Sequence, residues 1–299
     1  MSDRRYLSIA LALILGFMAV EVVVAVFSGS LALLADAGHM LTDAFAIAAS
    51  IAAAVLAARP ARGAWTFGFK RVEILSAAVN GITLLVVAAL LAFEAIQRLI
   101  NPPSVAGLPV LVIAIVGIAV NVVATWVLSK ANRSSLNVEG AFQHILTDLY
   151  GFIGTAVAGV VILTTGFSRA DSIASLIVVG LMVRAAAQLL GASGRVLLEA
   201  APDNVNLPEL REHLLELPEV TAVHDVHAWT VTSDLPAISA HIVVADACFA
   251  NGEAPKVLDH LQACLTGHFD VEHSTFQLEP AGHTEHEAGA HPWPEAGRH

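Results

Sequence analysis

Residues 30–50 read SLALLADAGHMLTDAFAIAAS, an apolar run interrupted by three groups that lipid rejects: Asp36, His39 and Asp43. An α-helix advances about 100° and about 1.5 Å per residue, so side chains four apart share a face about 6 Å apart along the axis. His39 and Asp43 therefore point the same way. The phrase returns at 139–151, EGAFQHILTDLYG, where His144 and Asp148 repeat the spacing. A carboxylate near mid-bilayer costs at least about 2.5–3.5 kcal/mol on insertion scales. Both faces are therefore expected to turn into a bundle interior.

The surrounding chain is built for a membrane. Its 299 residues are 56% hydrophobic and 14% charged, with a mean hydropathy of +0.71. A bilayer core of about 30 Å needs about 20 apolar residues as helix. Six stretches qualify: 7–28, 32–58, 72–98, 109–129, 139–165 and 170–190. The first is read as a span rather than a cleaved signal, because it is long, carries Glu21 and lacks a clear cleavage site. Short loops carry Arg4, Arg5, Arg59, Arg62, Lys70, Arg71, Lys130 and Arg133 on one side, against Arg98 and Arg169 on the other. That asymmetry places both termini in the cytoplasm.

Charge and periodicity change near residue 199. Residues 1–198 carry 12 basic and 9 acidic side chains, whereas 199–299 carry 3 and 17. Residues 206–218, NLPELREHLLELP, have helical spacing; 220–231, VTAVHDVHAWTV, and 237–245, AISAHIVVA, read as strands. A second helix is expected over 254–269 and a third strand over 273–279. This α-β-β-α-β order predicts a small α+β sandwich with helices on one face of the sheet. The expected domains are thus a six-span transport domain over 1–198, a soluble domain over 199–280 and a His-, Glu- and Pro-bearing tail over 281–299 that composition predicts to be disordered. Cys248 and Cys264 have neither metal nor redox spacing and read as reduced thiols.

Two imidazoles and two carboxylates, His39, Asp43, His144 and Asp148, make a tetrahedral N₂O₂ set suited to a divalent transition ion, zinc first. No thiolate is present to hold the metal tightly. Imidazole must be neutral to bind, so metal and protons compete for the same atoms, as a proton-driven metal exporter requires. Asp36 is a possible accessory carboxylate near the same face. Glu21, Asn80, Glu94 and Asn121 read individually as helix–helix glue or interfacial groups, and Arg71 and Glu73 as partners of each other or of a neighbouring helix.

The phrases SGSLALLADAGHMLTDAFAI, FGFKRVEIL, EGAFQHILTDLYG, LLEAAP, VHDVHAWTVTS and HSTFQLE resemble the cation diffusion facilitator family, especially its zinc-transporting bacterial branch. The resemblance covers nearly the whole chain. It implies a six-helix transmembrane bundle with a cytoplasmic ferredoxin-like domain in the bacterial inner membrane. It implies a homodimer that exchanges zinc for protons by alternating access, with His39, Asp43, His144 and Asp148 as the transport site. One departure is visible: the loop between the fourth and fifth spans, SKANRSSLN, carries none of the histidines that many relatives have there.

The resemblance also implies a regulatory metal in the soluble domain, for which His224, His241, His273 and Glu279 are the candidate ligands. Strand alternation puts His224 and His227 on opposite faces unless a bulge intervenes. The expected partners are divalent metal ions, protons, membrane lipid and a second copy of the chain, with no nucleic acid. Alternative readings are a cadmium- or cobalt-preferring transporter of the same family, a membrane metal sensor, and an intramembrane metal enzyme. The enzyme reading is disfavoured because there is no HExxH and no separate general base beside the four ligands.

Overall fold

A computed structural model describes residues 2–28, 31–101, 107–269, 271 and 273–283; the side chains of residues 2, 28, 31–36, 39, 107–110, 267 and 268 are not among those described. The tail expected to be disordered lies outside the described residues from 284 onward. The chain divides into two compact units, residues 1–194 and 195–299.

Among the described residues of the first unit, six helices are long and apolar enough to span a membrane: α1 (Ser2–Ser28), α2 (Leu31–Ala57), α3 (Val72–Ile100), α4 (Gly107–Leu128), α5 (Leu136–Thr165) and α6 (Ala170–Leu197). They meet the six stretches expected from hydropathy. α1, α2, α4 and α5 share one core, in which Leu7, Ile14 and Phe17 pack with Met40, Ile47, Leu128 and Ile145. α3 and α6 form a second pair, with Leu84, Val87 and Ala88 against Val178, Met182 and Ala186. Large apolar side chains on the other faces, such as Phe45, Leu90, Phe93 and Trp126, remain exposed, as lipid contact allows.

Apolar surface gains little by leaving lipid for another helix, so close packing of small residues holds such a bundle. Gly117 of α4 shows how tight that packing is: a Cβ there would stand 2.5 Å from the Phe152 ring of α5. The phase of α5 is set at its ends. Ser135 caps the N-terminus by accepting from the Val138 amide at 3.4 Å, Glu139 lies in the first turn, and Gly166 closes the C-terminus at φ 70°. Glu73, at the start of α3, accepts from Ser135 Oγ at 2.6 Å, a contact that runs across helices.

The second unit is a helix-on-sheet sandwich in the expected order: α7 (Leu207–Leu215), β1 (Val220–Thr230), β2 (Pro236–Val244), a short α8 (Asp246–Ala250), α9 (Ala254–His268) and β3 (His273–Pro280). β1 and β2 are antiparallel; β2 and β3 are parallel, which requires the crossover that α8 and α9 supply. Leu210 and Leu214 of α7 and Val257, Leu261 and Leu265 of α9 pack on Val223, Ile238, Ile242 and Leu278. Strand alternation therefore turns His241, Gln277 and Glu279 to the sheet face away from that core.

Candidate metal centre

Within the bundle, α2 and α5 bring Asp43 and His144 together. The His144 Nε2–H group donates to Asp43 Oδ1 at 2.7 Å, and the two side chains are 3% and 5% exposed. Asp148, one turn further along α5, adds a second carboxylate, and one ligand atom from each of Asp43, His144 and Asp148 lies within 4.8 Å of the others. Zinc bonds of about 2.0–2.2 Å put tetrahedral ligand atoms about 3.3 Å apart, so gathering this trio round one ion draws Asp148 in by on the order of 1 Å and opens the His144–Asp43 contact by roughly half that. The proton that Nε2 shares with Asp43 must leave that nitrogen before metal binds there. His39 lies one turn before Asp43 on α2; its side chain, like that of Asp36, is outside the described residues.

A cavity of about 200 Å³ reaches this cluster and is lined by Asp43 and Asp148 together with polar groups of Asn121, Thr147, Thr155 and Ser175. Asn121 is buried and donates its amide to the Gly117 carbonyl at 3.0 Å. Glu21 is also buried, in α1. Glu94 instead forms an exposed ion pair with Arg98.

The soluble unit holds a second cluster on the sheet face away from its helices. His224 and His241 are direct neighbours across β1 and β2, with ring centroids 5.1 Å apart. Glu279 of β3, only 1% exposed, lies between them: His224 Nε2 is 3.2 Å from its Oε2, and His241 Nδ1 is 2.8 Å from its Oε1. Gln277 also donates to that Oε1, at 2.8 Å. Two imidazoles and a carboxylate so placed have the donor set and closeness that a divalent ion needs. His273 stands apart. It pairs with Ala237 at the exposed start of β3, four residues before the Gln277–His241 pair, or roughly 13 Å along the strand.

Two features escaped sequence reasoning. A bulge between His224 and His227, with Asp225 at φ 49°, inserts one residue and brings His227 to the same face as His224. Asp225 then lies 3.1 Å from His227 Nε2 and 3.7 Å from His241 Nε2, extending the cluster. The available signal was an aspartate at the turn of HDVH, since Asp is among the few residues that visit the left-handed region. The other feature is a buried hydrogen-bonded trio, Ser50, Asn80 and Asn137, in which only Asn80 stood out in the sequence.

Comparison with known proteins bears on both units. The model of the cation efflux transmembrane domain matches residues 7–198, and that of the cation efflux protein cytoplasmic domain matches residues 202–281. The chain is 36% identical over 284 residues to a cadmium, cobalt and zinc/H(+)-K(+) antiporter of Bacillus velezensis, covering 94% of this chain and 90% of the relative. It is 40% identical over 290 residues to the metal cation efflux system protein CzcD of Cupriavidus metallidurans, covering 97% and 90%. It is 39% identical over 280 residues to the zinc transporter ZitB of Escherichia coli, covering 93% and 88%. Both domain models match in this order, and these relatives align over nearly all of this chain: it belongs to the cation efflux family, the cation diffusion facilitators, and is a multi-pass integral membrane protein.

Proposed function

We propose that this protein exports Zn²⁺ from the bacterial cytoplasm across the inner membrane in exchange for protons, through an intramembrane site formed by His39, Asp43, His144 and Asp148. The observation that carries the reading is the convergence of buried Asp43 and His144 with half-buried Asp148 from two helices, beside a cavity lined by both polar and apolar residues. Imidazole and carboxylate without thiolate bind divalent zinc reversibly and give it up to protons. The names of the relatives, which include zinc, cadmium and cobalt, support the same class of cargo. Cadmium and cobalt are therefore the second reading of the substrate, because this donor set follows the general affinity order rather than selecting one ion.

In this reading residues 1–198 carry transport, and both termini face the cytoplasm because the arginines and lysines of the short loops gather on that side. Residues 199–280 pair two copies of the chain. They take a regulatory zinc ion at His224, His241 and Glu279, and the tail over 281–299 is a solvated arm. Each ligand is occupied with metal or proton and none is left as a general base, so the protein is a transporter and not an enzyme. Lipid surrounds the bundle as solvent.

The test is a metal panel in proteoliposomes with an imposed pH gradient. Zinc uptake driven by an outward proton gradient supports the exchange. Zinc flux indifferent to the gradient refutes it, and uptake of cadmium or cobalt in preference to zinc moves the substrate to the second reading.

A further inference from the structure

Two helical turns from the cluster of Asp43 and His144, α2, α3 and α5 are tied by polar groups. Ser50 follows Asp43 by seven residues and Asn137 precedes His144 by seven. Each therefore lies on the same stripe of its helix as the ligand, roughly 10 Å along the axis. Asn80 of α3 donates its amide to Ser50 Oγ at 3.0 Å, and Asn137 donates its amide to the Ser50 carbonyl at 2.8 Å. All three side chains are buried. Gly140, one turn along α5, permits the approach of α3: a Cβ there would stand 3.3 Å from Asn80 Nδ2 and 3.1 Å from Leu189.

The cavity lies on the opposite side of the cluster. On α2 it is lined by Met40 and Asp43, and on α5 by residues from Thr147 to Thr155. None of its lining residues falls between Asp43 and Ser50 or between Asn137 and His144. Those intervals hold Ile47 and Ala141, both buried in the helix core. So the cluster has space on one side and two turns of packed apolar side chains on the other, closed off by the trio.

We infer that Ser50, Asn80 and Asn137 form an inner bolt. Closed, it seals the metal site from the cytoplasm; loading from that side requires α3 and α5 to part from α2 at these bonds. The bolt is few-bonded and incompletely satisfied. Asn137 Oδ1 is buried and accepts no hydrogen bond among the described residues, a cost that a wetted, open state relieves. Such an element has two arrangements close in free energy, as a gate requires. The inference rests on the orientation proposed above, which assigns the Ser50 side of the bundle to the cytoplasm.

The test is cysteine accessibility in the full chain in proteoliposomes, with Cys248 and Cys264 replaced by serine. Ala141→Cys is the reporter, Ile47→Cys is a second reporter, and a membrane-impermeant methanethiosulfonate cation is the probe. Ser50→Ala removes one hydroxyl and should raise reporter labelling from the cytoplasmic face by about fivefold, the population shift that losing one ordinary hydrogen bond gives. Asn137→Ala should do the same, and Ser50→Thr, which keeps a hydroxyl, should label like the parent. Unchanged labelling in Ser50→Ala, an equal rise from both faces, or a Ser50→Thr variant as open as alanine would each overturn the bolt. Ser134→Cys, in the exposed loop before α5, reports orientation in the same vesicles. Its labelling from the other face would sink the orientation, while the trio's control of the reporter would still be read on whichever face it opens.

Discussion

Replacing Asp43 by asparagine removes one charge and almost no volume, so its effects on folding and on metal separate. In the metal-free protein two terms oppose each other. A charged carboxylate deep in a span costs at least about 2.5–3.5 kcal/mol, which a neutral amide largely avoids. The hydrogen bond from His144 contributes about 1.5–3 kcal/mol to a charged acceptor and about 0.5–1.5 kcal/mol to a neutral one, so roughly 1–1.5 kcal/mol is lost. The metal-free variant is therefore expected to be more stable than the parent by about 1–2 kcal/mol. Metal binding moves the other way. Losing an outer-shell partner of a metal ligand already weakens binding about 10–100-fold, and Asp43 is proposed above as a ligand itself. At free zinc about 100-fold above the parent Kd, binding stabilises the parent by about 2.7 kcal/mol; if Kd rises about 100-fold, the stabilisation falls to about 0.4 kcal/mol. The assay is a pair of thermal melts in detergent, with and without zinc, in a His224→Ala and His241→Ala background that silences the soluble cluster, together with zinc flux in proteoliposomes. A melt that still responds fully to zinc, with flux retained, would refute Asp43 as a ligand. A metal-free variant that melts well below the parent would show that the Asp43–His144 contact is structural.

Four further outcomes are expected. Gly117→Ala should drive a methyl into the Phe152 ring and lower the melting stability by about 1–3 kcal/mol, while Gly151→Ala, with open space around it, should not. At the bulge, Asp225→Gly should keep the β1–β2 amides protected from hydrogen exchange, whereas Asp225→Ala should lose about 1 kcal/mol relative to it, because alanine resists the left-handed backbone. Glu279→Gln should abolish metal binding by the soluble cluster, read by isothermal titration of the full chain in an Asp43→Asn background, and leave zinc flux intact at saturating zinc in an otherwise native chain. Burial and then the charge of Glu216 push the Cys264 thiol above its ordinary pKa, so its alkylation should reach half-rate at higher pH than that of glutathione, and Glu216→Gln should bring the profile down.

The helices and their polar stripes were legible because two rules act on single segments. Span length follows from bilayer thickness, and the four-residue spacing of His144 and Asp148 fixes their common face. The repeated motif paired the stripe of α2 with that of α5, but the contact between them could not be read. Asp43 touches His144 rather than a neighbour on its own helix because α2 and α5 approach closely, and that approach depends on packing spread over Met40, Ile47, Ala141 and Ile145. Ser50 and Asn137 were invisible for the same reason: a lone serine or asparagine in a span is ordinary, and only their meeting with Asn80 gives them a role. In the sheet, the resemblance singled out His241 and Glu279, while strict alternation gave the wrong face for His227. One left-handed residue, Asp225, shifts the phase, and no periodicity announces it.

The two clusters use the same donor types but mount them differently, and the mounting decides how each can release metal. In the bundle, ligands sit on two separate rods about 5–6 Å from each helix axis. Turning α5 by about 20° against α2 moves its ligand atoms by about 2 Å, ten times the roughly 0.2 Å tolerance of a zinc bond. The bundle cluster can therefore be dismantled by a small rotation without breaking any helix. In the sheet, His224 and His241 are locked opposite each other by ladder bonds, and Glu279 is fixed by the parallel register of β2 and β3. Separating those ligands means breaking the sheet itself. Soft mounting suits a site that must bind on one side and release on the other. Rigid mounting suits one that reports metal concentration by occupancy, so backbone mechanics, and not the shared donor chemistry, separates the two roles proposed for the helices and the sheet.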